Sequence, residues 1–254
     1  MLTSFSKSPL DSLRLLVVDD HPINREFLRA GLGTFGARIE AVASGAEAID
    51  RCREREYDLI LMDLHMPIMD GLETAIAIQA LGTRQSEYEF VFLTADTRAE
   101  EHDRVRKAGF LRILNKPIEL DELGRELVRY LGLDSKPHAI RQQRAGNPLV
   151  DQAAALETCN DQIELVTRMK LRLADELDER LGDVEQLMIE GRHTTLRALL
   201  HQWIGAAGFA GARNLALRCQ SLMAALEADS PDRLAEDWVD FMRSAQATRA
   251  ALRQ

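Results

Sequence analysis

The sequence predicts an α/β fold with a doubly wound parallel sheet, followed by an all-α segment. Through residues 13–131 short apolar runs alternate five times with stretches of helical period. Alternating βα units build a parallel sheet covered on both faces. After Asn147 the strand signals vanish, and Ala, Leu, Glu and Arg dominate. A third observation sets the centre of the first half: Leu59-Ile60-Leu61-Met62 runs into Asp63, and a Met66-Pro67 turn follows. A short apolar run bounded by turn signals reads as a buried strand. Asp63 then sits at the carboxyl end of that strand, the edge where open α/β sheets bind ligands. Such a carboxylate is a candidate nucleophile or metal ligand; taken alone, it reads equally as the N-cap of a helix.

Each element follows in order. Residues 13–18 are apolar and end in Asp19-Asp20. His21-Pro22 opens a helix over 23–32, with Pro near its first turn, and Gly33 and Gly36 break it. Residues 38–42 alternate like an edge strand. Ser44 and Glu47 have capping-box spacing ahead of a helix to about Glu56. The Asp63 strand comes next, then a helix over 71–81. Phe90-Val91-Phe92-Leu93 is a strongly apolar strand ending in Thr94-Ala95-Asp96. Thr97-Arg98-Ala99-Glu100 caps the following helix, which Gly109 stops. Residues 111–114 form a last strand ending in Asn115-Lys116-Pro117, and a helix over 119–131 closes the unit.

Composition narrows the function classes. Hydrophobic residues make up 46% of the chain and charged ones 29%, an ordinary globular balance. The net charge of -9 argues against nucleic acid and anionic membranes as partners. No apolar run reaches the roughly 18 residues that span a bilayer, and residues 1–7 lack a secretory core. Cys52, Cys159 and Cys219 are distant and odd in number, which fits a reducing cytoplasm rather than a disulfide framework or a zinc site.

The polar residues of the first half fall at strand ends, which share one edge of a parallel sheet. Asp19, Asp20 and Asp63 brought together cannot all stay ionised without a cation. Oxygen-only ligands select a hard ion, Mg²⁺. Lys116 supplies a point charge for a phosphoryl oxygen, the Thr94 hydroxyl donates to another, and the small Ala95 leaves the pocket open. Attack by Asp63 on a bound phosphoryl donor needs positioning and charge neutralisation, and its product is an acyl phosphate.

Asp19-Asp20, Met62-Asp63 with Met66-Pro67 and Asp70-Gly71, Thr94-Ala95 and Lys116-Pro117 resemble the marks of a response-regulator receiver domain, here over residues 11–131. The resemblance implies that Asp63 is phosphorylated by an upstream histidine kinase or a phosphotransfer protein. It implies Asp20, Asp63 and the His65 backbone carbonyl as Mg²⁺ ligands, with Asp19 acting through water. One departure is Ile113, which stands where the family carries an aromatic switch; Phe110 reads as core. His65 and Asp96 lie at positions that tune phosphoryl lifetime in this family.

Residues 132–149 hold Pro, Gly and a basic series, Lys136, His138, Arg141 and Arg144, without periodicity, and read as a linker. Beyond it, Val166, Met169, Leu173, Leu177, Leu181, Val184 and Met188 mark one stripe of a long helix. Gly191 ends it. Further helices run from about Thr194 through Ile204, over 214–226, and from Ser230-Pro231, an N-cap followed by Pro, to about Leu252. Four antiparallel helices on short loops make a bundle over 150–254.

His201 and Gly205 share a helix face. Glycine in a helix interior costs about 1 kcal/mol, so it either clears space beside the imidazole for a docking partner or permits close helix packing. His201, Gly205, Ala206, Ala207 and Gly211, with Leu215 and Cys219 after them, resemble the motif of histidine-containing phosphotransfer domains. The resemblance implies that His201 carries phosphate on a ring nitrogen and exchanges it with a receiver aspartate. Ile204 replaces the family's lysine, which leaves Arg197 and Gln202 as the polar neighbours. His193 reads as a helix-start residue.

The two resemblances together imply a phosphorelay intermediary, free-standing or the end of a hybrid sensor kinase. It has no ATP-binding kinase domain of its own. Asp63 takes phosphate from an upstream kinase, and His201 passes it to a downstream receiver or returns it. The expected partners are those proteins; the chain itself is expected to be a cytoplasmic monomer. One alternative is a phosphorylation-gated binding module whose degenerate helical half transfers nothing. Another is a bundle that only dimerises the receiver.

Overall fold

The computed structural model describes residues 10–11, 13–81, 88–96, 98–132, 149–228 and 231–253. Five parallel strands, β1 (Arg14–Val18), β2 (Arg38–Val42), β3 (Leu59–Asp63), β4 (Glu89–Thr94) and β5 (Ile113–Asn115), form one sheet in the order β2-β1-β3-β4-β5. Every residue of the central β3 is buried, whereas most of β2 and all of β5 at the edges are only partly covered or exposed.

The period of two in the strands divides the core. Leu15, Val17, Leu59, Leu61, Val91 and Leu93 face α1 (Pro22–Gly33) and α5 (Leu120–Tyr130). Leu16, Val18, Ile60, Met62, Phe90 and Phe92 face α2 (Gly45–Glu54), α3 (Gly71–Gln79) and α4 (Ala99–Lys107). This is the predicted doubly wound sheet. Ser44 caps α2 by accepting from the Glu47 amide, and Asp70 with Glu73 forms a full capping box on α3.

Two boundaries move. β5 begins at Ile113 rather than 111, because Leu111 is exposed and pairing starts only where Ile113 meets Phe92. α4 begins at Ala99 with Arg98 at the N-cap and no side-chain cap; Thr97 lies outside the described residues, as do Ser230 and nearly all of the linker, including its basic series.

The second half is helical: α6 (Gln152–Thr158), α7 (Ile163–Ile189), α8 (His193–Phe209), α9 (Arg213–Glu227) and α10 (Pro231–Ala251). The long helices close a ring, α7 packing on α8 and α10, and α9 on α8 and α10. The predicted stripe of α7 is buried from Val166 to Val184, with Leu187 replacing Met188 at its end. Trp203 stacks on Phe241 inside the ring, centroids 6.2 Å apart. The short α6 is a helix the periodicity did not reveal; about two turns capped by Asp151 are too brief to show a stripe, and it packs on α7 and α8. Cys52, Cys159 and Cys219 are buried free thiols. Among the described residues no helix is long and apolar enough to cross a membrane.

The core on the α1 side of the sheet continues without a break into the helical half. Phe27 of α1 stacks on Phe209 of α8 at 3.6 Å between centroids. A Cβ on Gly205 would lie 2.9 Å from Asn24 Oδ1, and one on Gly208 would overlap the Pro117 ring. The helix glycines are thus where the α8 backbone meets the sheet edge. Ion pairs surround this contact: Arg172 with Glu26 at 2.5 Å and Arg98 with Glu227 at 3.0 Å. Such exposed pairs contribute under about 1 kcal/mol each, so steric fit of the glycines dominates. Gly208→Val is therefore expected to separate the halves while each keeps its secondary structure. A larger radius of gyration in small-angle scattering, with an unchanged far-ultraviolet spectrum, is the result to look for.

Candidate functional site

The carboxyl ends of β1, β3, β4 and β5 deliver the predicted polar residues to one edge. β1 ends in Asp19 and Asp20, β3 in Asp63, and β4 in Thr94, whose carbonyl accepts from the Lys116 amide at 2.6 Å. The Lys116 ammonium donates to Asp19 Oδ2 at 2.9 Å and to Asp63 Oδ2 at 2.8 Å, all three groups buried. Thr94 is fully buried, and its hydroxyl accepts from the Asp96 amide at 3.0 Å.

Burial alone would raise the Asp63 carboxyl, but the Lys116 ammonium, and more weakly the His201 imidazole, outweigh it and hold it below the usual carboxylate range. Burial also opposes the charge on Lys116, yet Asp19 and Asp63 keep it above its ordinary value. Asp19 and Asp20 are pushed up by burial, with the Asp63 charge adding to it. One ammonium thus faces three carboxylates, and an excess of negative charge remains. Asp19, Asp20 and Asp63 each offer an oxygen within 4.8 Å of the others, and Asp20 Oδ1 is buried without a partner. All-oxygen donors with an orphaned carboxylate oxygen fit a hard divalent cation.

The helical half completes the site. His201 is 4% exposed and its Nε2 lies 3.7 Å from Asp63 Oδ1; neither ring nitrogen has a hydrogen-bond partner. His65 lies tilted beside it at 4.4 Å between centroids, and burial, followed by the repulsion of His201, pushes its imidazole down to about 4. Gln202 Nε2 donates to Asp20 Oδ2 at 2.5 Å. An open cleft of about 440 Å³ beside Asp20, His21, Glu176 and Gln202 leads from solvent to this side of the pocket.

Other sequence expectations resolve differently. Gly205 does not stand beside an empty space; Asn24 occupies it. Arg197 is not free above His201: it pairs with Glu227, which also takes Arg98. Ile204 is buried and lines a cavity of about 250 Å³ with Ala95, Arg98, Arg197 and Met223. Ile113 is partly buried, and Phe110 packs edge-on against Phe92 at 5.1 Å, as a core residue. Asp96 pairs with Arg98.

Sequence reasoning missed the parts played by four residues. Asn24 donates to both oxygens of Asp19, at 3.1 and 3.0 Å. His21 Nε2 lies 2.9 Å from Glu176 Oε2 across the two halves, and Trp203 Nε1 donates to Glu176 Oε1 at 2.9 Å. The available signal was an Asn inside the apolar stripe of α1. Nothing local marked Glu176, one acid among many on α7.

Residues 15–128 match the family described as the response regulator receiver domain; that segment of the chain is a receiver domain. Two curated relatives align over longer spans. "Signal transduction histidine-protein kinase BarA" of Escherichia coli (strain K12) is 29% identical over 215 residues, 82% of this chain and 23% of its own length. "Sensor protein GacS" of Pseudomonas syringae pv. syringae is 30% identical over 229 residues, 86% of this chain and 25% of its own. The chain thus spans about a quarter of the length of these relatives. Among solved structures, the receiver domain of sensor histidine kinase PA1611 from Pseudomonas aeruginosa PAO1, with magnesium coordinated in its active site cleft, is 31% identical. It covers 48% of this chain and 98% of its own, with a TM-score of 0.44.

Glu176 offers a test of the contact across the pocket. Burial would raise its carboxyl, but the contacts with His21, Trp203 and Arg180 together outweigh this and hold it below its ordinary value. A lowered acid stabilises the folded form above its unfolded pKa of about 4.3, and that contribution is lost as pH falls through the folded value. Glu176→Ala should cost about 2 kcal/mol and flatten the acid limb of Tm against pH. Thermal melts between neutral and acid pH measure both.

Proposed function

We propose that the chain is a phosphorelay intermediary in which Asp63 takes a phosphoryl group from an upstream histidine kinase and His201 exchanges phosphoryl with a receiver aspartate. The ring of α7–α10 then serves as a four-helix phosphotransfer bundle, over about 150–254, joined through a linker at 132–149 to a receiver over 11–131. The observation that carries the reading is the 3.7 Å approach of His201 Nε2 to Asp63 Oδ1, both side chains being buried. It pairs the two phosphoacceptors of one chain.

The residues divide the work. Asp63 Oδ1 attacks phosphorus on the kinase phosphohistidine; the O–P bond forms as the P–N bond breaks. In the onward step the His201 Nε2 lone pair attacks, and the electron pair of the P–O bond returns to Asp63 as carboxylate. Lys116, already 2.8 Å from Asp63, neutralises that carboxylate and holds a phosphoryl oxygen, and the Thr94 hydroxyl donates to another. Asp19, Asp20, Asp63 and the His65 backbone carbonyl would hold Mg²⁺, whose charge offsets that building on the phosphoryl oxygens. Asn24 positions Asp19, and Gln202 positions Asp20. The kinase and any downstream receiver are the protein partners, in a cytoplasmic setting.

A second reading, a phosphorylation-gated binding module, draws support from Ile204 and from Arg197 being tied to Glu227 rather than to the pocket. Label transfer from a phosphorylated histidine kinase separates the two. Asp63→Asn is expected to abolish labelling of the chain. His201→Gln should keep labelling of Asp63 and lose onward transfer to a receiver by at least about a hundredfold, the range attributed to a missing essential group. Onward transfer at the normal rate in His201→Gln would leave the binding-module reading in place. Transfer between the two residues of one chain should be independent of protein concentration in a single-turnover series.

A further inference from the structure

Asp63 belongs to two clusters that share its carboxylate. One is the oxygen trio with Asp19 and Asp20. The other is Asp63 with His65 and His201, whose ligating atoms also lie within 4.8 Å of one another. Its chemistry differs: two imidazole nitrogens and one carboxylate select a borderline ion such as Zn²⁺ over Mg²⁺. From this we infer a second, transition-metal site built across the two halves of the chain, with Asp63, His65 and His201 as ligands and a fourth position open to water.

Three observations support it besides proximity. Both nitrogens of the buried His201 lack a hydrogen-bond partner, and so does the buried Nδ1 of His65. Unpartnered buried polar atoms cost stability, and a metal would satisfy them. The other nitrogen of His65 lies 3.9 Å from Glu101 Oε1, outside hydrogen-bond distance; a small turn of the ring would give it the carboxylate partner that ligating histidines use. Lys116 engages Asp63 Oδ2, while Oδ1 faces His201, so ammonium and metal take opposite oxygens. Tetrahedral zinc places its donors about 3.3 Å apart, a spacing set by bonds near 2.0 Å. His201 needs to close by a few tenths of an ångström, and the half-exposed His65 ring has room to turn inward.

The consequence is inhibition. Zinc here would occupy the phosphoacceptor oxygen of Asp63 and the imidazole of His201 together, and would clamp the two halves. The proposal stands on this interface and not on phosphoryl transfer. The test uses the full chain in excess Mg²⁺, titrated with Zn²⁺ by calorimetry and with Co²⁺ by visible absorption. One equivalent should bind, and Co²⁺ should show the band of a four-coordinate ion. His65→Gln and His201→Gln should each weaken binding at least about tenfold, the loss typical of perturbed metal shells. Nitrogen NMR of histidine-labelled unaltered protein removes any doubt about variant folding: two of the six imidazoles should shift on adding Zn²⁺. Silent imidazoles would overturn the proposal. So would binding that survives both histidine changes and is lost in Asp20→Asn, which would place the ion in the oxygen trio. The relay reading is tested in Mg²⁺ without zinc, so its failure is distinguishable from this one.

Discussion

Lys116 is the group on which the site depends. It stands between Asp19 and Asp63, and all three side chains are buried. Removing one partner of a buried pair costs more than the pair contributes, about 3–5 kcal/mol, because the remaining charge is left uncompensated. The strand ends meet at this edge against that cost, and the ammonium makes it tolerable. The same geometry leaves the pocket one cation short, since Asp20 is only partly buried and, among the described residues, its side chain is engaged through Gln202 while its Oδ1 has no partner. An edge built this way is stable enough to form and unsatisfied enough to bind.

The second constraint is the backbone approach of α8. Gly205 and Gly208 bring that helix against Asn24 and Pro117, and His201 is delivered to Asp63 as a result. The helix interior gives up intrinsic stability at each glycine, and the sheet face gains a cover. Glu176 works at the same seam, accepting from Trp203 within its own half and engaging His21 of the other. The core shared by the halves follows from these placements, because Phe27 and Phe209 can stack only when α8 lies this close.

Much of this was legible in the chain. The run into Asp63, the acidic pair after β1 and the lysine after β5 all end strands, and a parallel sheet gathers strand ends by its topology. His201 was legible through the small residues after it, though their purpose was half seen: Gly205 makes room for Asn24, not for an empty approach. What stayed hidden depends on docking. The contact of Glu176 with His21, the engagement of Arg98 by Glu227, and the burial of His201 arise where two halves meet, and no periodicity reports a partner surface. The short α6 escaped because seven residues are too few to carry a repeating pattern. The start of β5 shifted because an exposed apolar residue, Leu111, looks in sequence like a buried one.

The burial of Asp63 beneath α8 has a quantitative consequence for any visitor. Any protein that reacts with Asp63 must reach the carboxylate that the chain's own histidine now covers, and the tethered helix is a competitor that never diffuses away. The apparent dissociation constant for the visitor is its intrinsic value divided by the open fraction. If the halves were apart about 1% of the time, a micromolar encounter would behave like one of about 0.1 mM. Every change that loosens the seam, from a bulkier residue at Gly208 to protonation at Glu176, then acts as a change in the chain's receptiveness, without touching Asp63 or His201.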